Sequence, residues 1–386
     1  MQYRRLGTTG REVSALGFGT MRLPVLGDDG AVDEPAAVEM IRHAIDGGVN
    51  YVDTAYPYHG GASEPVTGKA LRDGYRRKVL LATKLPVWMV HGLDDCDRLL
   101  NEQLARLGDE HVDVYLLHNL TGPSWRRMGQ LGVLEWARGA QADGRVGMLG
   151  FSFHDDVEAF REIVDGFDWP LCQIQYNLVG EDTQAGTEGL KYAAGKGLGV
   201  VIMEPLFGGA LAVPPEPIRA AWEAAGRRPA DGALQWLWDK PEVACVLSGM
   251  STMDQVHQNV AAATRSGVGS LTGEDHALVA RVQGLYRRFS PVPCTKCGYC
   301  MPCPHGVDIP RNLELYSNGA VFGGNALTLC RNLYRQLPAG TQAAACQACR
   351  ACEDKCPQSI EVSALMPRVA AELDHPTPQA ANRARD

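Results

Sequence analysis

Short, almost continuous runs of apolar residues recur through the first 250 residues of the chain. They lie at positions 14–21, 51–55, 79–85, 112–119, 146–153, 171–177, 199–206 and 244–250. Strands of a parallel sheet have this composition because both faces of such a sheet are covered by other elements. The pattern therefore predicts eight parallel strands.

Stretches with helical periodicity of polar and apolar residues separate these runs. They lie at positions 34–46, 63–72, 94–107, 124–143, 155–165, 187–196, 229–240 and 254–264. Several of them end in glycine, which commonly terminates a helix. Eight strand–helix alternations over about 250 residues are typical of a (β/α)8 TIM barrel. A doubly wound sheet is the alternative, but no GxGxxG motif follows the first run.

Composition limits the classes of partner that the chain can have. The 386 residues carry a formal net charge of −8, which argues against nucleic acid or an anionic membrane surface as the main partner. No apolar run is long enough to cross a bilayer, and the first residues lack the apolar core of a signal peptide. We therefore expect a cytoplasmic protein that acts on small molecules.

Four polar residues lie at the ends of the second, third and fourth predicted strands: Asp53, Tyr58, Lys84 and His118. The catalytic residues of a TIM barrel occupy the carboxyl ends of its strands. An ammonium group near a tyrosine lowers the pKa of the phenol, and a carboxylate can hold that ammonium in place. The set can protonate a carbonyl oxygen while hydride arrives at carbon. The alternative is a structural ion pair of Asp53 with Lys84, beside a lid tyrosine and a core histidine.

These residues lie in segments that resemble the aldo-keto reductases. The matching segments are Asn50-Tyr-Val-Asp-Thr-Ala-Tyr-Pro-Tyr58, Ala82-Thr-Lys84 and Tyr115-Leu-Leu-His118, and the likeness covers roughly residues 1–270. The resemblance implies that Tyr58, and not Tyr56, is the general acid. It implies that Asp53, Lys84 and His118 support Tyr58.

The resemblance also implies a nicotinamide site at the ends of the fifth, sixth and seventh strands. Ser152 and Gln173 match the family's ligands of the carboxamide group, but Phe153 replaces an asparagine that usually accompanies the serine. Met203 replaces the aromatic residue on which nicotinamide stacks. Because of the replacement at Met203, a flavin is kept as an alternative cofactor.

The segment after the eighth strand resembles the family's phosphate loop and adenine-binding helix. The residues implied to bind the nucleotide there are Gly249, Ser251, Gln255 and Asn259. Gly249 and Gln255 replace the lysine and arginine of NADPH-specific members, and without a cation a 2′-phosphate loses charge-assisted hydrogen bonds. We therefore expect NAD(H) to be favoured over NADP(H). The alternative for this segment is an ordinary last helix of the barrel.

Eight cysteines near the C-terminus form two runs that each end in Cys-Pro. The first run is Cys294, Cys297, Cys300 and Cys303, and the second is Cys346, Cys349, Cys352 and Cys356. The second run matches the bacterial ferredoxin pattern, and the first is one residue shorter in its last gap. The alternatives are two zinc sites or, less plausibly for a cytosolic chain, disulfides.

The ferredoxin resemblance implies two [4Fe–4S] clusters that exchange their fourth ligands. Cys294, Cys297 and Cys300 would bind one cluster together with Cys356. Cys346, Cys349 and Cys352 would bind the other cluster together with Cys303.

Together these features predict a barrel over residues 1–285, a small, mainly α-helical ferredoxin-like domain over residues 286–370, and a disordered tail over residues 371–386. The chain resembles the subgroup of aldo-keto reductases that has such an extension. This implies NAD(P)H-linked interconversion of a carbonyl and an alcohol, with clusters that exchange electrons with a ferredoxin-type partner or sense redox state. The alternatives are a flavin- or ferredoxin-linked reductase fed through the clusters and a redox-sensing nucleotide-binding protein without turnover.

Overall fold

The computed structural model describes residues 1–27, 30–294, 296, 298–356 and 358–375. In chain order its strands are β1 (Tyr3–Arg5), β2 (Glu12–Ser14), β3 (Leu16–Gly19), β4 (Val25–Leu26), β5 (Ala31–Val32), β6 (Tyr51–Asp53), β7 (Leu80–Pro86), β8 (Val112–Leu120), β9 (Val146–Phe153), β10 (Leu171–Gln175), β11 (Gly199–Met203) and β12 (Val243–Ser248). Eight of them, β3 and β6 to β12, form a closed parallel barrel in chain order. The predicted TIM barrel is confirmed.

Seven of the eight predicted barrel helices lie within a few residues of their expected positions. The described residues contain fourteen α-helices. They are α1 (Glu34–Asp46), α2 (Ser63–Ala70), α3 (Leu93–Leu107), α4 (Gly122–Gln130), α5 (Val133–Ala142), α6 (Val157–Asp165), α7 (Gly186–Gly195), α8 (Glu216–Glu223), α9 (Pro229–Trp238), α10 (Met253–Thr264), α11 (Gly273–Phe289), α12 (Ile309–Phe322), α13 (Gly324–Gln336) and α14 (Val362–Leu373). None of the helices in these described ranges is long and apolar enough to cross a membrane.

One prediction is wrong: a helix that was expected to be continuous is interrupted. The single helix expected over residues 124–143 is two helices, α4 and α5, with Gly132 between them at a φ of 78°. Glycine adopts this left-handed conformation without the steric cost that a Cβ imposes, so it ends one helix and redirects the chain.

The antiparallel hairpin of β1 and β2 covers the amino end of the barrel. Leu6 and Val13 of this hairpin are fully buried in the barrel core. Arg4 donates hydrogen bonds to the carbonyl oxygens of Lys240 and Val243, where β12 begins. The hairpin was not predicted, because its two strands are too short to show a periodic pattern. Its position leaves the carboxyl end of the barrel for a functional site.

Alternation along the strands determines which side chains reach the carboxyl end of the barrel interior. Tyr51, Ala82, Leu116, Leu171 and Val201 belong to one core cluster inside the barrel. Side chains two positions apart on a strand share a face. The next inward layer therefore consists of Asp53, Lys84, His118, Gln173 and Met203.

The chain divides into two compact units, Met1–Pro205 with Ala233–Thr272, and Leu206–Gly232 with Gly273–Asp386. In the second unit α12 packs against α13 and α14, and α11 packs against α8. Phe322 contacts the rings of Phe207 and Tyr286, with centroids 5.5 and 5.1 Å apart. The C-terminal region is helical, as predicted.

The boundaries expected at residues 285 and 370 remain predictions. Helix α14 continues to Leu373. Of the expected tail, residues 376–386 lie outside the described residues.

Candidate active site and cysteine clusters

A buried ion pair forms the base of the candidate active site. Lys84 is fully buried and Asp53 is 2 % exposed. The ammonium of Lys84 donates hydrogen bonds to Asp53 Oδ1 and to the carbonyl oxygen of Thr54, both at 2.7 Å. The ring of Tyr58 has its centroid 4.9 Å from the same nitrogen. The ammonium therefore lies between a carboxylate and a phenol.

The pKa of Tyr58 departs from the sequence-based expectation. Burial raises the pKa of Tyr58; Lys84 lowers it, and the charges of Asp53 and Glu204 raise it again, so that the net direction is upward. The expected downward shift by Lys84 exists, but burial outweighs it. Tyr58 is therefore protonated at neutral pH and is suited to act as an acid.

Lys84 remains charged in this environment. Burial lowers the pKa of Lys84, while Asp53 and Tyr58 raise it beyond the ordinary value. Burial also raises the pKa of Asp53, against the effect of the Lys84 charge. Charge pairing thus outweighs the desolvation of Lys84, whereas for Asp53 the effect of burial on the pKa remains the larger one.

His118 lies beside Tyr58, with ring centroids 6.1 Å apart and the planes at 82°. Burial, together with Lys84 and His154, holds the pKa of His118 well below its usual value, so its imidazole is neutral at pH 7. A neutral imidazole retains one N–H donor for an oxygen ligand. The ring of Trp88 lies 5.1 Å from His118 and is 46 % exposed. Trp88 was missed from the sequence, where nothing distinguishes it from other loop aromatics.

Tyr56 has a different environment from Tyr58. Its hydroxyl donates to the carboxylate of Glu102 on α3 at 3.1 Å, and the guanidinium of Arg106 lies 4.1 Å from its ring centroid. The structure thus brings Tyr58, and not Tyr56, to Lys84. All four residues expected to be catalytic meet at the carboxyl end of the barrel.

The residues expected to bind nicotinamide line the adjacent part of the barrel. Ser152 Oγ accepts a hydrogen bond from the backbone N–H of Asn119 at 2.8 Å. Gln173 donates to the sulfur of Met203 at 3.6 Å, and its buried carbonyl oxygen has no hydrogen-bond partner among the described residues. An unpaired buried acceptor fits the N–H₂ group of a carboxamide ligand. Phe153 instead packs against Phe160.

The loop after β12 uses two of its predicted ligands to hold its own shape. The backbone N–H of Ser251 donates to Gln255 Oε1 at 2.7 Å, and Ser251 Oγ donates to the carbonyl oxygen of Arg22 at 2.9 Å. Asn259 donates to Ser248 Oγ at 3.0 Å. These hydrogen bonds connect the loop to the start of α10, to the end of β12 and to the segment after β3.

Arg22 is a cation near this loop that the sequence reasoning missed. A Cβ added to Gly249 would lie 3.2–3.4 Å from the side-chain carbons of Arg22, which therefore extends across the glycine. Arg22 follows β3, far from Gly249 in sequence, and only the closure of β12 against β3 brings the two together.

One pocket in the second unit brings together cysteines from both runs. It has an empty volume of about 370 Å³ and is lined by Cys294, Cys300 and Cys356, with Leu313 and Ile360 among its apolar neighbours. Cys297, the remaining ligand expected here, lies outside the described residues. Three thiols in an apolar pocket fit the requirements of an iron–sulfur cluster, whose ligands are cysteine thiolates.

Three of the other four expected ligands, Cys303, Cys346 and Cys352, also lie near one another. Burial raises the pKa of Cys352, and the nearby charges of Cys303 and Cys346 raise it further. Cys349 is exposed. Lys296 and Ala348 occupy equivalent positions in the two runs and have similar φ values of 54° and 53°.

Comparisons with known proteins agree with this architecture. A sequence model of the aldo/keto reductase family matches residues 15–267, and one of a 4Fe-4S dicluster domain matches residues 293–361. This chain belongs to the aldo/keto reductase family. It is an oxidoreductase of that family with a C-terminal 4Fe-4S dicluster domain.

The chain is 30% identical over 320 residues to L-galactose dehydrogenase of Arabidopsis thaliana, covering 74% of this chain and 94% of that protein. It is similar to the holo form of aldo-keto reductase AKR11C1 from Bacillus halodurans, with a TM-score of 0.62 and 25% identity over 73% of this chain and 96% of that one. An aldo-keto reductase from Klebsiella pneumoniae in complex with NADPH has a TM-score of 0.60 and 25% identity over 73% of this chain and 95% of its own.

Proposed function

We propose that this chain interconverts a carbonyl and an alcohol with NAD(P)H. The observation that carries the proposal is the buried Lys84–Asp53 pair beside Tyr58, next to a neutral His118. Bound nicotinamide would supply or accept the hydride. Tyr58 donates its proton to the substrate oxygen, and Lys84 stabilises the phenolate that forms. The N–H of His118 donates a hydrogen bond to the same oxygen.

Replacement of the proton donor tests this mechanism. We expect Tyr58→Phe to lower kcat for carbonyl reduction by about 10²–10⁴-fold, the usual contribution of a general acid. Binding of NADH, followed by its fluorescence, should change little, because the phenol acts on the substrate. Tyr56→Phe is the control, since Tyr56 bonds to Glu102 outside the catalytic group. An unchanged rate in Tyr58→Phe would contradict the role of Tyr58 as proton donor, whereas a wild-type protein that binds NADH but reduces no carbonyl would favour a nucleotide-binding sensor.

The cofactor site is proposed at the residues that the family resemblance implies. Ser152, Gln173 and Met203 would contact the nicotinamide, and the unpaired oxygen of Gln173 supports this assignment. Gly249, Ser251, Gln255 and Asn259 would contact the adenosine end. NAD(H) is favoured over NADP(H), because neither Gly249 nor Gln255 carries a charge for a 2′-phosphate. Arg22, whose side chain crosses Gly249, is the cation near this loop that acts against that preference.

We further propose two [4Fe–4S] clusters in the C-terminal unit. One would be bound by Cys294, Cys297, Cys300 and Cys356, and the other by Cys346, Cys349, Cys352 and Cys303. The shared pocket of Cys294, Cys300 and Cys356 supports this exchange of ligands between the runs. The clusters would pass electrons to or from a ferredoxin-type partner, or sense redox state.

An anaerobic titration of the protein as isolated tests the role of the clusters. Absorbance and EPR are followed while NADH, and in a second sample NADPH, is added. Reduction of two clusters per chain would connect the nicotinamide to the clusters, and a lower midpoint concentration for NADH would support the proposed preference. Clusters that accept electrons from dithionite but from neither nucleotide would rule out nicotinamide as their donor. A flavin released on denaturation would then favour the flavin-linked alternative.

A further inference from the structure

Tyr58 lies on a connecting segment with an unusual backbone. The segment joins β6 to α2, and its turn over Tyr58–Gly61 contains three successive residues in the left-handed region. The φ values of His59, Gly60 and Gly61 are 52°, 66° and 97°. Glycine adopts this conformation without steric cost, whereas residues with a Cβ rarely do. A histidine at this position, directly before two glycines, indicates that its side chain has a use of its own.

Buried hydroxyl groups fix both ends of this segment. Thr20, after β3, donates to the carbonyl oxygen of Asp53 at 3.0 Å, where the segment begins. The hydroxyl of Ser63, where α2 begins, lies 2.7 Å from that of Thr20 and 2.9 Å from that of Thr54. Thr20, Thr54 and Ser63 are fully buried. The ends of the segment therefore have fixed positions, and Tyr58 lies midway between them in sequence.

His59 supplies a third fixed point, directly after Tyr58. Its Nε2 atom accepts a hydrogen bond from the backbone N–H of Leu23 at 3.1 Å. Only an unprotonated ring nitrogen can accept such a bond. Burial lowers the pKa of His59, although the carbonyl oxygens of Thr20 and Met21 favour its charged form. The imidazole is therefore neutral at pH 7 and keeps the lone pair that this hydrogen bond uses.

The partner of His59 belongs to a turn that is itself held in place. Leu23 follows the 3₁₀ turn Thr20–Arg22, and its side chain is buried. The carbonyl oxygen of Arg22 accepts a hydrogen bond from Ser251 Oγ at 2.9 Å. The turn is thus bonded on one side to the loop after β12 and on the other to the segment that contains His59.

A displacement of this segment would move the phenol of Tyr58 relative to the groups around it. The ring centroid of Tyr58 lies 4.9 Å from the ammonium of Lys84 and 6.1 Å from the ring centroid of His118. Lys84 and His118 lie on the barrel strands β7 and β8, so they do not move with the segment. Proton transfer requires the donor to be within hydrogen-bond reach of the substrate oxygen, and a misplacement of about 1 Å can lower a rate about 100-fold.

We propose that His59 is a positioning residue: through its hydrogen bond to Leu23 it holds the phenol of Tyr58 where it can reach the substrate oxygen. The effect of His59 on the reaction passes through Tyr58. The inference rests on the proposed reductase function, in which Tyr58 is the proton donor.

Two amide side chains of different length test this hydrogen bond in the full-length holoprotein. In His59→Gln the side-chain oxygen can take the place of Nε2, whereas in His59→Asn it is one methylene too short to reach Leu23. Asparagine tolerates the left-handed conformation, so the shorter variant should fold. With propanal and NADH, kcat should fall about 10- to 100-fold in His59→Asn and stay within about threefold of wild type in His59→Gln. The dissociation constant for NADH and the midpoint of urea unfolding should change little in either variant.

A double variant shows whether the effect passes through the phenol. In a Tyr58→Phe background, His59→Asn should lower kcat by less than about twofold, because residues that act as a unit have non-additive effects. A residue with only a general structural role would lower kcat by the same factor in both backgrounds.

His111→Asn is the matched control, because the ring of His111 bonds to the carbonyl oxygen of Gly144 at the amino end of the barrel. It should leave kcat unchanged. A wild-type kcat in His59→Asn, or an equal loss in His59→Gln and His59→Asn, would overturn the inference and leave the reductase function standing. A urea midpoint that falls together with kcat would also overturn it, because the bond would then serve folding. A wild-type protein that reduces no carbonyl compound would overturn the proposed function and this inference with it.

Discussion

The two sides of the barrel differ in how their buried glutamine amides are hydrogen-bonded. On the β6–β8 side, the Lys84 ammonium bonds to Asp53 and Thr54, and a buried amide, Gln103, makes hydrogen bonds through both its nitrogen and its oxygen. On the β9–β11 side, the amide oxygens of Gln173 and Gln184 are buried without partners in the described residues. The contrast concerns the glutamine amides, because Asp53 Oδ2 and His118 Nδ1 on the first side are also buried without partners in the described residues. On the second side, the oxygen of Gln173 is left to accept a hydrogen bond from a ligand.

The largest effect should follow from breaking the buried pair. Lys84→Met leaves Asp53 buried beside no cation, which costs about 3–5 kcal/mol of the free energy of unfolding. It should also lower kcat by at least about 10²-fold, because Tyr58 loses its partner. Urea unfolding and steady-state kinetics measure the two effects.

The double variant Asp53→Asn/Lys84→Met separates stability from catalysis. Without a charge left unpaired, it should recover most of the lost stability while remaining inactive. Recovery of activity along with stability would show that the pair serves folding alone.

Replacing a buried glutamine by leucine should affect NADH binding on the β9–β11 side and stability on the β6–β8 side. Gln173→Leu removes an oxygen that has no partner, so the free energy of unfolding should change by less than about 1 kcal/mol. The dissociation constant for NADH should rise about tenfold, equivalent to about 1.4 kcal/mol. Fluorescence titration and urea unfolding provide the measurements.

Gln103→Leu is the comparison on the β6–β8 side. The amide of Gln103 donates to Glu64, Thr83 and the carbonyl oxygen of Lys84, at 2.7, 3.0 and 3.0 Å. Its loss leaves the fully buried Glu64 with fewer partners and should cost about 2–3 kcal/mol. Equal losses of stability in the two variants would contradict the distinction between the sides.

The sequence predicted the proposed catalytic residues better than the residues that surround them. Asp53, Tyr58, Lys84 and His118 follow consecutive apolar runs, so strand order alone brings them together. Asn119, Gln184 and Arg22 depend on loop conformations and on the closure of β12 against β3, neither of which has a periodic signal. The upward pKa shift of Tyr58 was also missed, because the degree of burial depends on packing around the whole barrel mouth.

A smaller effect is expected at the adenosine end of the site. Gly249→Lys restores a cation where the family's NADPH-specific members have one, and a charge-assisted hydrogen bond to a 2′-phosphate should lower the NADPH dissociation constant about tenfold. The new Cβ would lie 3.2 Å from Arg22 Cβ, so the backbone at Arg22 must shift by a few tenths of an ångström together with its side chain. Binding of NADH should change little, and an equal gain for both nucleotides would point to non-specific attraction.

The smallest effect should appear only in the alkaline limb of the pH profile. Four groups act on Tyr58 or lie beside it: Lys84 lowers its pKa, Asp53 and Glu204 raise it, and His118 is neutral near pH 7. Glu204→Gln removes one of the raising charges, so the pKa of Tyr58 should fall. Carbonyl reduction requires the protonated phenol, and its decline with rising pH should therefore begin at a lower pH. Alcohol oxidation requires the phenolate, so its rise with increasing pH should also begin at a lower pH.

Glu162→Gln is the matched control, because Glu162 forms a surface ion pair with Arg126. It should leave both pH profiles unchanged. A shift to higher pH would mean that the carboxylate of Glu204 acts on Tyr58 through the structure of its loop and not through its charge.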